Sequence, residues 1–229
     1  MFPQFSAVDL EGMSGKVKRL DEKISTISVK DGRTKEEVIP GSHYFVFDKD
    51  GRLTYAMYTF EGSSTEKQCI YDKNGVRKCS SETTSAFSKS GPSLPSLSAS
   101  VFKFDAAENS MTEDTYTPKM QNGGPAFELN DLGQRYKYYF DASKRMTKKI
   151  VLSSDGAEVS TYEYFYRSSG PPSDMALTSH GRLIQAEKYT YDLDDHGNWT
   201  KRTSVSRFTN AAMPESTTVS YRKVAYYEK

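Results

Sequence analysis

The chain has 229 residues, with 31 Lys plus Arg against 30 Asp plus Glu and a formal net charge of +1. That balance argues against a nucleic-acid binder, which carries a basic excess, and no run of about 18 apolar residues is present to span a membrane as a helix. Leu, Ile, Val and Phe are scarce, while 16 Tyr supply large rings with a wet hydroxyl, so a broad sheet over a thin core is expected.

Residues 1–14 read as an irregular lead-in. Met1 to Phe5 lacks the basic and apolar regions of a secretion signal, so either the protein is intracellular or a signal was removed before Met1. An extended segment follows from Gly15 to Lys30, with a turn at Asp31-Gly32. Strand runs come next, near 43–48, 52–60, 66–72 and 76–84. Between Ser85 and Ser100 the chain is rich in Ser and Pro, which marks a loop and a boundary between two half-sheets within one all-β domain spanning 1–229. Further runs lie near 100–105, 111–116, 134–140, 145–152, 157–167, 181–191, 198–208 and 216–227. Alternation places Tyr162, Tyr164 and Tyr166 on one face, and no stretch keeps a helical period over three turns. The pattern predicts an antiparallel meander of about ten to twelve strands, a large twisted sheet that curls or splits into two layers.

One phrase recurs along this meander: an aromatic residue, Asp, two or three polar residues, then Gly. It is clearest at Phe47-Asp48-Lys49-Asp50-Gly51 and Tyr71-Asp72-Lys73-Asn74-Gly75, stretched at Tyr191-Asp192-Leu193-Asp194-Asp195-His196-Gly197, and degraded at Phe104-Asp105 and Phe140-Asp141. Asp caps a turn and Gly takes a positive φ, so the phrase reads as a hairpin instruction. Cys69 and Cys79 flank one copy. A three-residue loop of Lys73, Asn74 and Gly75 pairs 71 with 77 and 70 with 78, which sets Cys69 directly opposite Cys79 at disulfide distance. A bond there implies an oxidising compartment, the periplasm or the exterior.

Phe47-Asp48-Lys49-Asp50-Gly51-Arg52-Leu53-Thr54 resembles the tyrosine-aspartate (YD) repeat of RHS-type bacterial surface proteins, and Tyr191 to Thr200 resembles its Gly-Asn-Trp-Thr variant in small secreted bacterial proteins. The resemblance implies stacked antiparallel hairpins, an extracytoplasmic location and no catalytic residues in the repeats. The chain is far too short to build the closed shell of the large RHS proteins.

Chemistry is hard to find. His43, His180 and His196 are scattered, the two cysteines offer no zinc spacing, and no nucleophile motif is present, so no cofactor or metal is expected and the protein is read as a non-enzyme. The acidic loop Asp192–Asn198 has carboxylates at alternate positions, but its hairpin role accounts for them without calcium. The ring-bearing strands are the candidate ligand face: Tyr162, Tyr164, Tyr166, Tyr189, Tyr191 and Trp199. The leading reading is a periplasmic or secreted protein that binds another protein, in an immunity or inhibitor-like role by analogy. The second is an envelope carbohydrate held on the aromatic face, and the third a hydrolase with paired carboxylates.

Overall fold

The computed structural model describes residues 13, 15–30, 33–60, 63–71, 76–85, 96–117, 119–121, 124–126, 132–210 and 212–228. The described strands are β1 (Val17–Lys30), β2 (Arg33–Phe47), β3 (Leu53–Phe60), β4 (Ser63–Tyr71), β5 (Arg77–Ser85), β6 (Ser96–Asp105), β7 (Ser110–Tyr116), β8 (Lys119–Gln121), β9 (Gly124–Ala126), β10 (Leu132–Phe140), β11 (Met146–Leu152), β12 (Glu158–Phe165), β13 (Asp174–Ser179), β14 (Arg182–Leu193), β15 (Trp199–Phe208) and β16 (Ser216–Tyr226). Apart from the small β8–β9 pair, they form one antiparallel sheet in which each strand lies beside its neighbours in sequence. β1 also pairs with β16, from Val17 opposite Tyr226 to Ile27 opposite Thr217, and this closes the sheet into a barrel.

Closure corrects two expectations. The all-β antiparallel class stands, but the sheet is neither open nor split into layers, because the first and last strands satisfy each other's edges. The YD-repeat, RHS-like assignment is overturned as well. The hairpins here close a barrel within a single chain, where that family stacks them into a continuous repeat sheet.

The recurring phrase has a different meaning in this fold. In an up-and-down barrel alternate connections fall at the same end. The phrase occurs on alternate connections: after β2, β6, β10 and β14, at the rim where β1 begins and β16 ends. The copy at Asp72–Gly75, like the turn at Asp31-Gly32, lies outside the described residues. In the copies after β2, β6 and β10 the aromatic before the Asp packs inside the barrel. Phe47 is almost wholly buried, Phe140 is buried with Met111, and Phe104 packs on that cluster.

Each Asp then caps the turn. Asp48 Oδ1 accepts from the amides of Asp50 and Arg52 at 2.9 Å, Asp141 from Ser143 and Arg145, and Asp194 from His196 and Asn198. The carboxylate of Asp194 is pulled up by burial but held below its ordinary range by the Tyr226 hydroxyl and these amides.

The residue before the turn closes is left-handed in all three: Gly51 at φ 75°, Gly197 at 79° and Lys144 at 63°. Lys144 is the odd member, since a Cβ in this region costs about 1–2 kcal/mol. Lys144→Gly is expected to raise stability by about 0.5–1 kcal/mol, after the added flexibility of the unfolded chain is counted. Gly197→Ala is expected to lower it by about 1 kcal/mol. A Cβ at position 197 meets nothing within 4 Å, so the change reads backbone strain alone. Urea midpoints at constant slope measure both.

Two strand boundaries departed from expectation. β13, Asp174–Ser179, follows Pro171-Pro172 and has no aromatic run, which hides it in the sequence. β2 begins at Arg33, because the charged Lys35-Glu36-Glu37 stretch is edged by β1 and extends into a long hairpin. Pro40 cannot donate to a ladder and sits where the β1–β2 register shifts, between the Lys23–Ser42 and Ser25–Val38 pairs. The strands flanking the Ser- and Pro-rich stretch, β5 and β6, are paired neighbours; residues 86–95 between them lie outside the described set.

A barrel of about eight strands fills with ordinary side chains, so one this wide needs longer ones. On one wall Leu20, Phe45, Phe47, Leu53, Ala56, Cys69 and Cys79 form an apolar cluster. Tyr and Arg side chains project into the rest of the bore. Outward positions carry charge at mid-strand: Arg19, Asp21 and Lys23 on β1, Arg135 and Lys137 on β10, Lys188 and Asp192 on β14, Lys223 on β16. This is not the apolar outer band of a lipid-spanning barrel. Among the described residues no helix is long and apolar enough to cross a membrane.

Candidate functional site

Cross-strand register brings the six candidate rings onto one surface, the inner wall of the barrel. Tyr164 pairs with Met175 and Met175 with Glu187, so β12, β13 and β14 share parity; Tyr189 faces Ser204 and Tyr191 faces Arg202. Tyr162, Tyr164 and Tyr166 therefore line the bore beside Tyr189, Tyr191 and Trp199. Tyr189 and Tyr191 have ring centroids 6.0 Å apart, and Tyr191 and Trp199 6.3 Å, tilted by 47° and 49°.

Four of the six, Tyr164, Tyr166, Tyr191 and Trp199, border a cavity of about 690 Å³ at the rim of capped turns. The backbone fixes the rings. The Tyr191 hydroxyl donates to the Pro172 carbonyl at 2.8 Å and the Tyr166 hydroxyl to the Met146 carbonyl at 2.7 Å. Burial pushes the Tyr166 hydroxyl up to about 12 and raises those of Tyr189 and Tyr191 further. All three are neutral hydrogen-bonding groups at ordinary pH. Tyr162 sits deeper, 5.6 Å from the Lys149 ammonium.

The sequence reading missed the cations among these rings. Arg222 lies 3.7 Å from the Trp199 ring centroid, and Arg202 lies 4.8 Å from Trp199 and 5.6 Å from Tyr189. Arg145 covers Tyr166 at 4.4 Å. Glu22 on β1 accepts from Arg222 Nε at 2.9 Å, with both side chains only 7% exposed, and stands 4.0 Å from Arg202. A second ionic group lies across the bore, where Glu113 takes Arg77 at 2.5 Å and the Tyr138 hydroxyl at 3.0 Å. The signal was parity: Glu22 is two residues from Leu20 and Arg222 two from Val224, so both occupy core-facing positions of their strands.

Other candidates fall elsewhere. Cys69 and Cys79 are directly opposed on β4 and β5 and joined by a disulfide, with Cα atoms 4.2 Å apart. His196 stacks on Tyr226 at 3.9 Å, His43 packs edge-on against Tyr58 at 5.4 Å, and His180 occupies a left-handed turn at the opposite rim. The histidines do not meet. In the acidic loop, the Asp194 carboxylate is occupied by two amides and the Tyr226 hydroxyl, and no group of three metal-ligating side chains exists among the described residues.

Fold and site together define a closed antiparallel barrel with an aromatic and cationic bore open at one rim. No family model and no curated protein matches the sequence. Among solved structures the chain is similar to a porin-like protein from Bacteroides uniformis, at 12% identity and a TM-score of 0.41 over 93% of this chain and 98% of that one. It is also similar to a DUF1329 family protein from Desulfovibrio piger (9%, 0.37, 96% and 90%) and to a LolA superfamily protein from Nitrosomonas europaea (9%, 0.28, 94% and 88%).

Proposed function

We propose that this is a non-catalytic extracytoplasmic binding protein that takes a small ligand with an apolar or aromatic body into the open end of its barrel. The observation that carries this is the inward face. Six rings converge on one wall, and four of them border a cavity whose volume lies in the usual range for small-ligand sites. Protein binding by strand addition loses its support on the barrel itself, where every strand has a neighbour on both sides. An envelope glycan is the weaker ligand: the rings are tilted against each other, and they stand beside Arg rather than the Asp or Asn that receive sugar hydroxyls. The Cys69–Cys79 bond supports a periplasmic or secreted address.

The test is a fluorescence titration with N-phenylnaphthylamine, an uncharged probe that brightens in apolar sites. Saturable binding is expected, weakened about tenfold or more by Tyr191→Ala or Tyr166→Ala, since each removes a ring's worth of contact. A linear, unsaturable response from the folded protein would remove the reading.

A further inference from the structure

We propose that the ligand of this site is an organic anion, a carboxylate, sulfonate, sulfate or phosphate on an apolar body, and that Arg202 receives its charged group. This inference rests on the reading of the barrel mouth as a binding site and adds the chemistry of the head group.

Charge does not balance in the bore. Glu22 is the carboxylate that serves both Arg222 and Arg202, and it is committed to Arg222 at 2.9 Å, with Arg202 at the margin of ion-pair distance at 4.0 Å. The buried Nε of Arg202 has no hydrogen-bond partner among the described residues. The Arg202 guanidinium, set against Trp199 and Tyr189, lines the cavity with part of its surface exposed and its carboxylate no closer than 4.0 Å. An anion supplies both the missing acceptor and the missing charge, and Arg is the side chain best shaped to bind oxyanions.

The rim has the same sign. Lys16, Lys49, Lys144 and Arg145 border the cavity with two carboxylates, Asp48 and Asp50, and both of these are already paired to Arg52 at 2.8 Å. Arg145 is paired to Asp141. The lysines are left to draw an anion toward the mouth, while the rings below accept its apolar part. A neutral ligand of the same shape would leave Arg202 as it is.

The experiment compares two probes with the same ring system, the uncharged N-phenylnaphthylamine and the anionic anilinonaphthalene sulfonate, on wild type and Arg202→Gln. The wild type is expected to bind the sulfonate about tenfold or more tightly than the amine, the scale of one charge-assisted hydrogen bond. Arg202→Gln is expected to abolish that preference, weakening the sulfonate about tenfold more than it weakens the amine. Arg202→Lys, which keeps the charge, should retain most of it, and this holds the test open should the Gln variant fail to give the wild-type circular dichroism spectrum. Equal binding of the two probes, or a preference that survives Arg202→Gln, overturns the anion proposal while leaving the binding reading in place. Failure of both probes to bind overturns the binding reading and this one with it. Displacement of the sulfonate by free dodecanoate, compared with displacement by phosphatidylglycerol vesicles, distinguishes a soluble anion from a lipid head group, and displacement by neither counts against the proposal.

Discussion

Glu22→Gln is expected to destabilise the barrel by about 3–5 kcal/mol, the cost of removing one member of a buried ion pair and stranding the other. Arg222, 7% exposed, would keep its charge against the Trp199 face without the Glu22 carboxylate, and Arg202 would stand beside it. In a chain of this size each kcal/mol corresponds to about 2–4 °C, so the melting temperature should fall by roughly 10 °C or more. The effect is not additive. Glu22→Gln combined with Arg222→Gln should recover part of the loss, because Arg222 is no longer a buried charge without Glu22, while Arg202 keeps its charge in both variants. Thermal melts of the two single variants and the double variant measure the coupling. A double-variant loss equal to the sum of the two single losses would mean that the pair contributes nothing beyond the packing of its members. The position also matters structurally: Glu22 is on β1 and Arg222 on β16, so the bond locks the seam where the barrel closes.

The second large effect is at the disulfide. Chain-entropy reasoning gives about 2.7 kcal/mol for a cross-link between residues 10 apart, and Cys69 and Cys79 are both buried in the apolar cluster of the first strands. Cys69→Ala with Cys79→Ala should therefore lower stability by about 3 kcal/mol, including the contacts of the lost sulfurs. Reductant should shift the guanidinium midpoint of the wild type in the same direction and leave that of the variant unmoved. A wild-type midpoint insensitive to reductant would show that the bond does not form in solution, and the argument for an oxidising compartment would lose its base.

Much of the strand layout could be read from the residues because turn chemistry is local. Asp at the cap and Gly at positive φ act within five residues, so the turns after Phe47 and Leu193 are visible without knowledge of any partner strand. Parity is also local, which is why Tyr162, Tyr164 and Tyr166 could be placed on one face. Closure is not local. The pairing of Ile24 with Ser220 joins segments almost 200 residues apart, and neither carries a residue type that names its partner. Without closure, inside and outside could not be told apart, and the same alternating rings fitted an exposed ligand face or an internal one. The resemblance to YD repeats arose from this: an aromatic-Asp-Gly phrase encodes a capped hairpin in any antiparallel sheet, and here it marks one rim of a barrel. The buried charges were missed for a related reason. Glu22 and Arg222 look like surface residues one at a time, and only their pairing across the seam makes their core-facing positions tolerable.

Trp199, the chain's one tryptophan, reports most directly on whether the aromatic face is turned into a closed barrel. Its side chain is 6% exposed, packed between Tyr191 and the Arg202–Arg222 pair. The measurement is acrylamide quenching of its emission in the native protein, with the denatured chain as reference. The barrel predicts a blue-shifted band, weak quenching, and further protection when N-phenylnaphthylamine is added. A red-shifted band, quenched in the native protein as strongly as in the denatured one, would place the rings on an open, solvent-facing sheet and contradict both the lumen and the site within it.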